Sequence, residues 1–587
     1  MCGIVGYKGQ GNASEIIVEG LKQLEYRGYD SFGVAALDRN KISIVKRVGK
    51  IGDITAKDLN LPDSRIGIGH TRWATNGGVT EANAHPHTCD GNKVAVVHNG
   101  IVENYQELRD ELRKSGYKFY SETDTEVIPK LIDLYMKEGN DFRSATRKAL
   151  SRIDGSFAIA AINNENEEIA FGRRGSPLVL GSDGKNFYVG SDVTAFLAHT
   201  NNVIYLDDDE YGIIDNKINI YDLNDDKEIK KSPITIKWSL EQAKKGNYPH
   251  YMIKEINEQV FTIPRSIEQD SKLIEDTVKS LKGADKIFFV GCGTSYHAGL
   301  IGSHLFAKLA NIETKTILAS EFEDHVKFVT AKTVVVGISQ SGETADLICA
   351  LKDAKSRGAK IISVVNVMGS TITRLSDINI MMNVGPEICV LSTKSYTGQV
   401  AILTYLAYAL AGRPKEGKEL IKQASSHVSH VIESSIKELR PLAKRFKDKT
   451  SLFLIGRGIA YPLALESALK IKEVSYIHAE GFAGGELKHG TIALIEKDIP
   501  VITLATKEIR PLILSNASEL RARGGFIIGV DSENNELYDF FINVPEVGDA
   551  NPLLRILPIQ IFAYYLALER NCDPDKPRNL AKSVTVK

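Results

Sequence analysis

Several protein classes are excluded by what this sequence lacks. It has six cysteines in 587 residues, at 2, 89, 292, 349, 389 and 572, and no pair stands at CxxC spacing. No histidine cluster accompanies them, so neither structural zinc nor a disulfide framework is expected. The usage fits a reducing compartment, the cytoplasm. Neither a metal nor a cofactor is expected. Charge of neither sign is in surplus, because 73 Lys and Arg stand against 74 Asp and Glu, a net −1. A chain with no basic surplus lacks the main affinity term for nucleic acid. No basic stretch followed by an apolar run opens the sequence, which argues against a secretory signal. Long apolar runs are missing too. Val400 to Ala411 and Leu553 to Leu568 are interrupted by Tyr, Gln or Arg and fall short of the roughly 18 residues a span requires. Buried core helices are expected there, and no membrane partner.

What is present is ordinary globular protein, 43% hydrophobic and 25% charged, long enough for about three to five domains. The first 235 residues look β-rich. Short strands such as Ile4–Tyr7, Ile66–Gly69, Lys93–Val97, Phe157–Ile162 and Glu168–Phe171 alternate with Asn, Gly and Asp turns. Helical patterns cover Ile16–Leu24 and Val102–Lys114. Residues 236–254, with Gly246 and Pro249, read as a linker. Beyond it, short apolar strands alternate with long amphipathic helices, the pattern of doubly wound parallel sheets.

That second part repeats itself. KIFFVGCG at Lys286–Gly293 returns 165 residues later as SLFLIGRG at Ser451–Gly458, and RGAKII at Arg357–Ile362 returns 166 later as RGGFII. Two copies of one α/β domain follow, 255–430 and 435–572, with a polar tail at 573–587. The copies differ at their turns. The first has Thr294-Ser295 after its first strand and Ser339-Gln340-Ser341-Gly342-Glu343-Thr344 after its second; the other has Ile459-Ala460 and Ala505-Thr506-Lys507. Hydroxyl-rich turns at strand carboxyl ends, each opening a helix, suit a phosphate. They also serve as ordinary helix caps. GCGTSYHAG is not a dinucleotide fingerprint, because its last glycine is displaced.

Cys2 stands directly after the initiator Met. With Met1 removed, its α-amine (ordinary pKa 7.7–8.0) is basic enough to deprotonate its own thiol. MCGIVG, LEYRGYDS, HTRWAT, HNGIVEN and SETDTE together resemble the class II (N-terminal-nucleophile) glutamine amidotransferase domain, whose fold is an α+β αββα sandwich. The resemblance implies that Cys2 attacks the side-chain amide of glutamine and frees ammonia. It makes Asn99 and the Gly100 N–H the oxyanion donors. It assigns Arg72 to the α-carboxylate and Asp124 to the α-ammonium of glutamine, with Trp73, Thr75 and His85 in the same site.

GCGTSYHAG and SQSGETAD resemble sugar isomerase (SIS) domains. End to end, with LESALKIKE, GELKHG and the tail LAKSVTV, the chain resembles the glutamine–fructose-6-phosphate aminotransferase family. That implies conversion of fructose 6-phosphate to glucosamine 6-phosphate, the first committed step of amino-sugar synthesis. Thr294, Ser295, Ser339, Gln340, Ser341 and Thr344 would hold the sugar phosphate, with Val390 and Ala581 lining the site. His489 would open the ring, Lys582 would form an imine at C2, and Glu473 would move the C1–C2 proton with Lys470 beside it. Glu466, Lys470 and Glu473 share one helix face, which without the resemblance reads as an ion-pair stripe. The family carries ammonia through a channel gated by a Trp, matched by Trp73, and closes the sugar site with its tail. It forms homodimers through the SIS domains, with His489 supplied by the partner. Asn76, Phe32 and Thr491 depart from the usual family residues. A phosphoribosyltransferase or asparagine-forming partner domain would need acidic or pyrophosphate-binding loops that the sequence does not carry.

Overall fold

The computed structural model describes residues 2–74, 76–236 and 244–585. The chain divides into two compact units, Met1–Lys244 with Ala581–Lys587, and Lys245–Leu580. Residues 237–243 of the expected linker lie outside the described residues. Its end, Tyr251–Lys254, is the first turn of the helix Tyr251–Ser266.

In the first unit two antiparallel sheets face each other. One has eight strands in the order Ile234–Thr235, Asn202–Tyr205, Val179–Ser182, Phe187–Gly190, Gly3–Lys8, Ile66–Arg72, Ser31–Asp38, Lys41–Val48. The other has seven, from Glu228–Ile229 at one edge through Ile169–Arg174, Gly155–Asn163 and Val94–Val102 to His87–Thr88. Alternation along one strand explains the layering. In Val94–Val102, Ala95 and Val97 meet Ile4, Ala35 and Ile68 of the opposing sheet, while Val94 and Val96 meet Leu108, Leu131 and Ile132 of the outer helices. Helix Ala13–Gln23 covers the outer face of the eight-stranded sheet through Ile17 and Leu21. The result is the expected αββα sandwich. Two strands run further than the sequence pattern indicates. Ile66–Arg72 includes His70 to Arg72, and Val94–Val102 includes His98 to Gly100 and the first residue of the expected helix, which starts at Tyr105. Ladder pairing to Gly155–Asn163 carries the strand through His98-Asn99-Gly100 despite their weak strand propensity.

The second unit holds two five-stranded parallel sheets of the same topology. The first is ordered Lys315–Leu318, Lys286–Gly291, Thr333–Ser339, Lys360–Val365, Ile378–Met381. The second is ordered His478–Ala483, Ser451–Gly456, Pro500–Leu504, Phe526–Asp531, Phe540–Asn543. The sequence repeat is therefore a repeat of strand order. The sheets share an apolar core built from Phe289, Val336, Leu454 and Ile502 with the central helices, while their other faces have separate cores around Val335 and Val501. Helices Lys394–Leu410 and Asn551–Glu569 contain the two apolar runs and lie in that shared core. Among the described residues one helical stretch, Gly548–Glu569, is long and apolar enough to cross a membrane, and its apolar window is 94% buried within the protein.

Candidate active site

Cys2 stands at the head of strand Gly3–Lys8, in the middle of the eight-stranded sheet. Pairing of Gly3 with Thr71 sets it beside the end of Ile66–Arg72. There the Trp73 N–H donates to Cys2 Sγ at 3.3 Å. From the facing sheet, Asn99 Nδ2 donates to the Cys2 carbonyl at 2.9 Å. Gly100 follows at φ +130°, where a Cβ would lie 2.1 Å from the Ser156 carbonyl, so only glycine fits. Cys2, Arg72, Trp73, His85, Asn99, Gly100 and Asp124 all border one cavity of about 30 Å³. Burial pushes the Cys2 thiol up, opposed by the Trp73 N–H and Arg72.

The rest of the wall fixes these groups. Asp124 Oδ2 accepts the Val102 N–H at 2.8 Å. Arg72 donates to the carbonyls of Asn76 (2.6 Å), Gly77 (3.2 Å) and Gly78 (3.1 Å), and so holds the loop that follows it. Asp30 Oδ2 accepts the Ala74 N–H at 2.8 Å. Thr75 lies outside the described residues.

Behind the cavity lies a row of buried histidines that the sequence reading did not single out as a group. His70 and His85 stack with ring centroids 4.1 Å apart, and His87 meets His85 edge-on at 4.8 Å. His98 Nδ1 is 2.8 Å from Thr125 Oγ1. Burial lowers all four, His70 to about 3. His70 Nε2 is 2.9 Å from Asn99 Oδ1 and 3.1 Å from the His98 carbonyl, both acceptors, so the neutral ring carries its proton there. That hydrogen sets the Asn99 amide with Nδ2 toward Cys2. The only sequence signal was the density of histidine between 70 and 98.

In the second unit, strands Lys286–Gly291 and Thr333–Ser339 pair in parallel. The helices after them lie on opposite faces of the sheet, Thr294–Ala310 in the shared core and Ala345–Ser356 in the outer one. This is a topological switch point, where open α/β sheets form a crevice. Both hydroxyl-rich turns sit at it. In the second turn Ser339 Oγ accepts the Gly342 N–H at 3.0 Å and lies 3.3 Å from Thr344 Oγ1. Ser341 Oγ accepts the Glu343 N–H at 3.2 Å, and the Gln340 carbonyl accepts the Asn366 N–H at 3.2 Å. Gly342 has φ +68°, and a Cβ there would strike Ser370 Oγ at 2.0 Å.

The first turn meets a buried ion cluster. Lys470 Nζ is 3.3 Å from Glu466, 2.9 Å from Glu473 and 3.0 Å from Thr294 Oγ1. Thr294 Oγ1 donates to Glu466 at 3.1 Å, and His297 Nδ1 is 2.8 Å from the other Glu466 oxygen. Gln399 Nε2 donates to Ser295 Oγ at 3.0 Å. Lys470 and Glu466 are 0% exposed. Burial alone would pull the Lys470 ammonium down, but Glu466 and Glu473 outweigh it and hold it above the usual lysine range. Val390 is buried, with its N–H on the Asp575 carbonyl at 3.1 Å. Asp575 also caps the helix Tyr251–Ser266 at the N–H groups of Tyr251 and Met252, 2.8 and 2.7 Å away.

A family model for the SIS domain matches residues 280–409 and 445–570, and one for the glutamine amidotransferase domain matches 70–198. A glutamine–fructose-6-phosphate aminotransferase (isomerizing) of Thermococcus kodakarensis is 45% identical over the whole of both chains. The chain belongs to the glutamine–fructose-6-phosphate aminotransferase family. The corresponding Clostridium perfringens protein is 42% identical, again over both full lengths. Among solved structures, the C-terminal domain of a glucosamine–fructose-6-phosphate aminotransferase from Francisella tularensis covers 57% of this chain and 100% of its own, at 31% identity and TM-score 0.52.

In this aminotransferase the two candidate sites fall in different units. Cys2, Arg72, Trp73, His85, Asn99, Gly100 and Asp124 are gathered in one, and Thr294, Ser295, Glu466, Lys470 and Glu473 in the other. His489 ends the short turn Gly484–His489, is exposed, and makes no hydrogen bond to the Lys470 cluster among the described residues. Ala581 and Lys582 belong with the first unit, whereas residues 573–580 belong with the second.

Proposed function

We propose that this family member uses glutamine to convert fructose 6-phosphate to glucosamine 6-phosphate and glutamate. The observation that carries this is the single cavity bordered by Cys2, Arg72, Asn99, Gly100 and Asp124, residues spread over more than a hundred positions. A thiol, an oxyanion donor, a cation for a carboxylate and an anion for an ammonium in one place suit attack on the side-chain amide of a free amino acid. The Cys2 thiolate attacks the glutamine side-chain amide, with its own α-amine as base once Met1 is gone. Asn99 Nδ2 and the Gly100 N–H stabilise the oxyanion, and collapse of the tetrahedral adduct expels ammonia. Water then hydrolyses the thioester to glutamate. A cavity of about 30 Å³ has room for a water or two. Glutamine entry therefore requires the loop held by Arg72 to open, and loop closure shuts bulk water out during reaction.

At the other site the sugar phosphate binds the Ser339–Thr344 turn, with Thr294, Ser295 and the loop at Val390 around it. His489 of the partner subunit opens the ring, so the active form is a homodimer through the SIS domains. Lys582 forms an imine at C2, Ala581 lines the sugar, and Glu473, with Lys470 neutralising it, moves the C1–C2 proton. Ammonia reaches C2 through a protected path at Trp73, and the reaction runs in the cytoplasm without a cofactor.

The test is product analysis with purified protein, glutamine and fructose 6-phosphate. Cys2→Ala is expected to abolish glucosamine 6-phosphate formation from glutamine while sparing sugar-phosphate isomerisation. Amino sugar formed from glutamine by that variant would refute the role of Cys2.

A further inference from the structure

A second cavity lies on the far side of the histidine row. It measures about 420 Å³ and is bordered by Lys46, His87, Thr88, Lys118, Tyr120 and Lys130, with Asp90 and Glu126 at its wall. That volume is in the range of small-molecule sites. Its carboxylates are already satisfied. Glu126 accepts the N–H groups of Tyr120 and Ser121 and the Ser121 hydroxyl, and lies 3.3 Å from Lys130. Asp90 is 3.3 Å from Lys130 by one oxygen and 3.4 Å from the Lys118 N–H by the other. Lys130, enclosed between two carboxylates, is neutralised.

Two cations are left over. Among the described residues neither Lys46 nor Lys118 has a carboxylate within ion-pair distance. Among the described residues the only hydrogen bond of the Lys46 ammonium is a long one, 3.4 Å to the Ala82 carbonyl. Thr88 and Tyr120 border the same cavity. We propose that this cavity is a binding site for a phosphate monoester, a dianion that the two uncompensated lysines match. Lysine binds phosphate as a point charge and needs no bidentate geometry. Burial, aided by Arg72 and opposed by Glu126, pulls Lys46 down to about 8, and an incoming dianion would relieve that cost.

The site is placed to report on glutamine chemistry. Ala82 neighbours Asn83, which bonds the Gly78 carbonyl at 3.0 Å, and Gly78 is one of the carbonyls that Arg72 holds. His87 borders this cavity, touches His85 edge-on, and lies 3.0 Å from Thr123 Oγ1; His85 and Thr123 both border the Cys2 cavity. A dianion that draws Lys46 off Ala82 loosens one anchor of the loop. This coupling, unlike the binding itself, rests on the reading of Cys2 as the glutaminase nucleophile.

The experiment is a calorimetric titration of the full chain with inorganic phosphate. Lys46→Met/Lys118→Met is compared with the parent and with Ser341→Ala, which alters the turn proposed for the sugar phosphate. The double variant is expected to melt like the parent and to bind one phosphate fewer per chain. Ser341→Ala is expected to keep the site. Equal stoichiometry in the double variant and the parent overturns the proposal. For the coupling, glutamine hydrolysis is followed at rising phosphate. The parent is expected to change its glutamine KM about fivefold or more and the double variant not to respond. An unresponsive parent that still binds phosphate at this site overturns the coupling alone. A parent that binds phosphate at this site but does not hydrolyse glutamine counts against the reading of Cys2 and leaves the site standing.

Discussion

His70→Leu separates a positioning role from mere bulk. The ring's one hydrogen is shared between Asn99 Oδ1 at 2.9 Å and the His98 carbonyl at 3.1 Å. Leucine fills much of the same volume and donates nothing. Leaving buried acceptors unmatched costs about 1–3 kcal/mol, so the protein stays folded with a lower midpoint. The catalytic effect is expected to be larger. Without that hydrogen only the bond from Nδ2 to the Cys2 carbonyl orients the Asn99 amide, and a half-turn puts an oxygen where the oxyanion forms. Loss of one such donor lowers kcat by about 10²–10³. The assay is glutamate release from glutamine in the absence of sugar, with kcat and KM resolved separately and folding followed by thermal melting. The loss is expected in kcat, with KM changed little. His70→Gln, which restores a donor of similar reach, is expected to recover about tenfold or more. A folded His70→Leu enzyme whose kcat lies within about threefold of the parent refutes the idea that His70 sets the amide.

Three further outcomes are expected. Lys470→Met leaves Glu466 and Glu473 facing each other without their cation, and is expected to cost about 3–5 kcal/mol of stability, measured by denaturant unfolding; a neutral result would show that the cluster reorganises. Borohydride is expected to trap fructose 6-phosphate on Lys582, and mass spectrometry finding the label on any other peptide would reject that imine. The four histidines of the first unit have folded pKa values below the unfolded value of about 6.5. The unfolded chain therefore binds more protons below pH about 6.5, and stability is lost as pH falls from there toward 3, by up to about 1.4 kcal/mol per pH unit for each histidine. Denaturant midpoints at pH 7, 6 and 5 check this. A flat profile would mean that the row takes up protons while folded, and His87→Gln should make the slope shallower.

The sequence was informative wherever structure depends on local pattern. Val400–Ala411 and Leu553–Leu568 read as core helices and are buried throughout most of their length. The 165-residue offset between Gly291 and Gly456 foretold two sheets of one strand order, because equal spacing of strands and helices allows few right-handed windings. Where pattern conflicted with pairing, the reading stopped short: His98-Asn99-Gly100 is polar and turn-like in sequence, yet nine consecutive ladder pairs keep it in a strand.

By itself the sequence determined the chemistry available: a thiol next to the initiator Met, an Arg and an Asp in the same part of the chain, and turns rich in hydroxyls in one copy of the repeat but not in the other. Only the tertiary structure decided which of these groups meet. Registers between distant strands put Cys2 beside Trp73 and Asn99, buried four histidines out of water, and set Glu466, Lys470 and Glu473 against Thr294. Side-chain identity is written residue by residue, but burial, hydrogen-bond partners and the proton each group carries come from contacts between segments far apart in the chain.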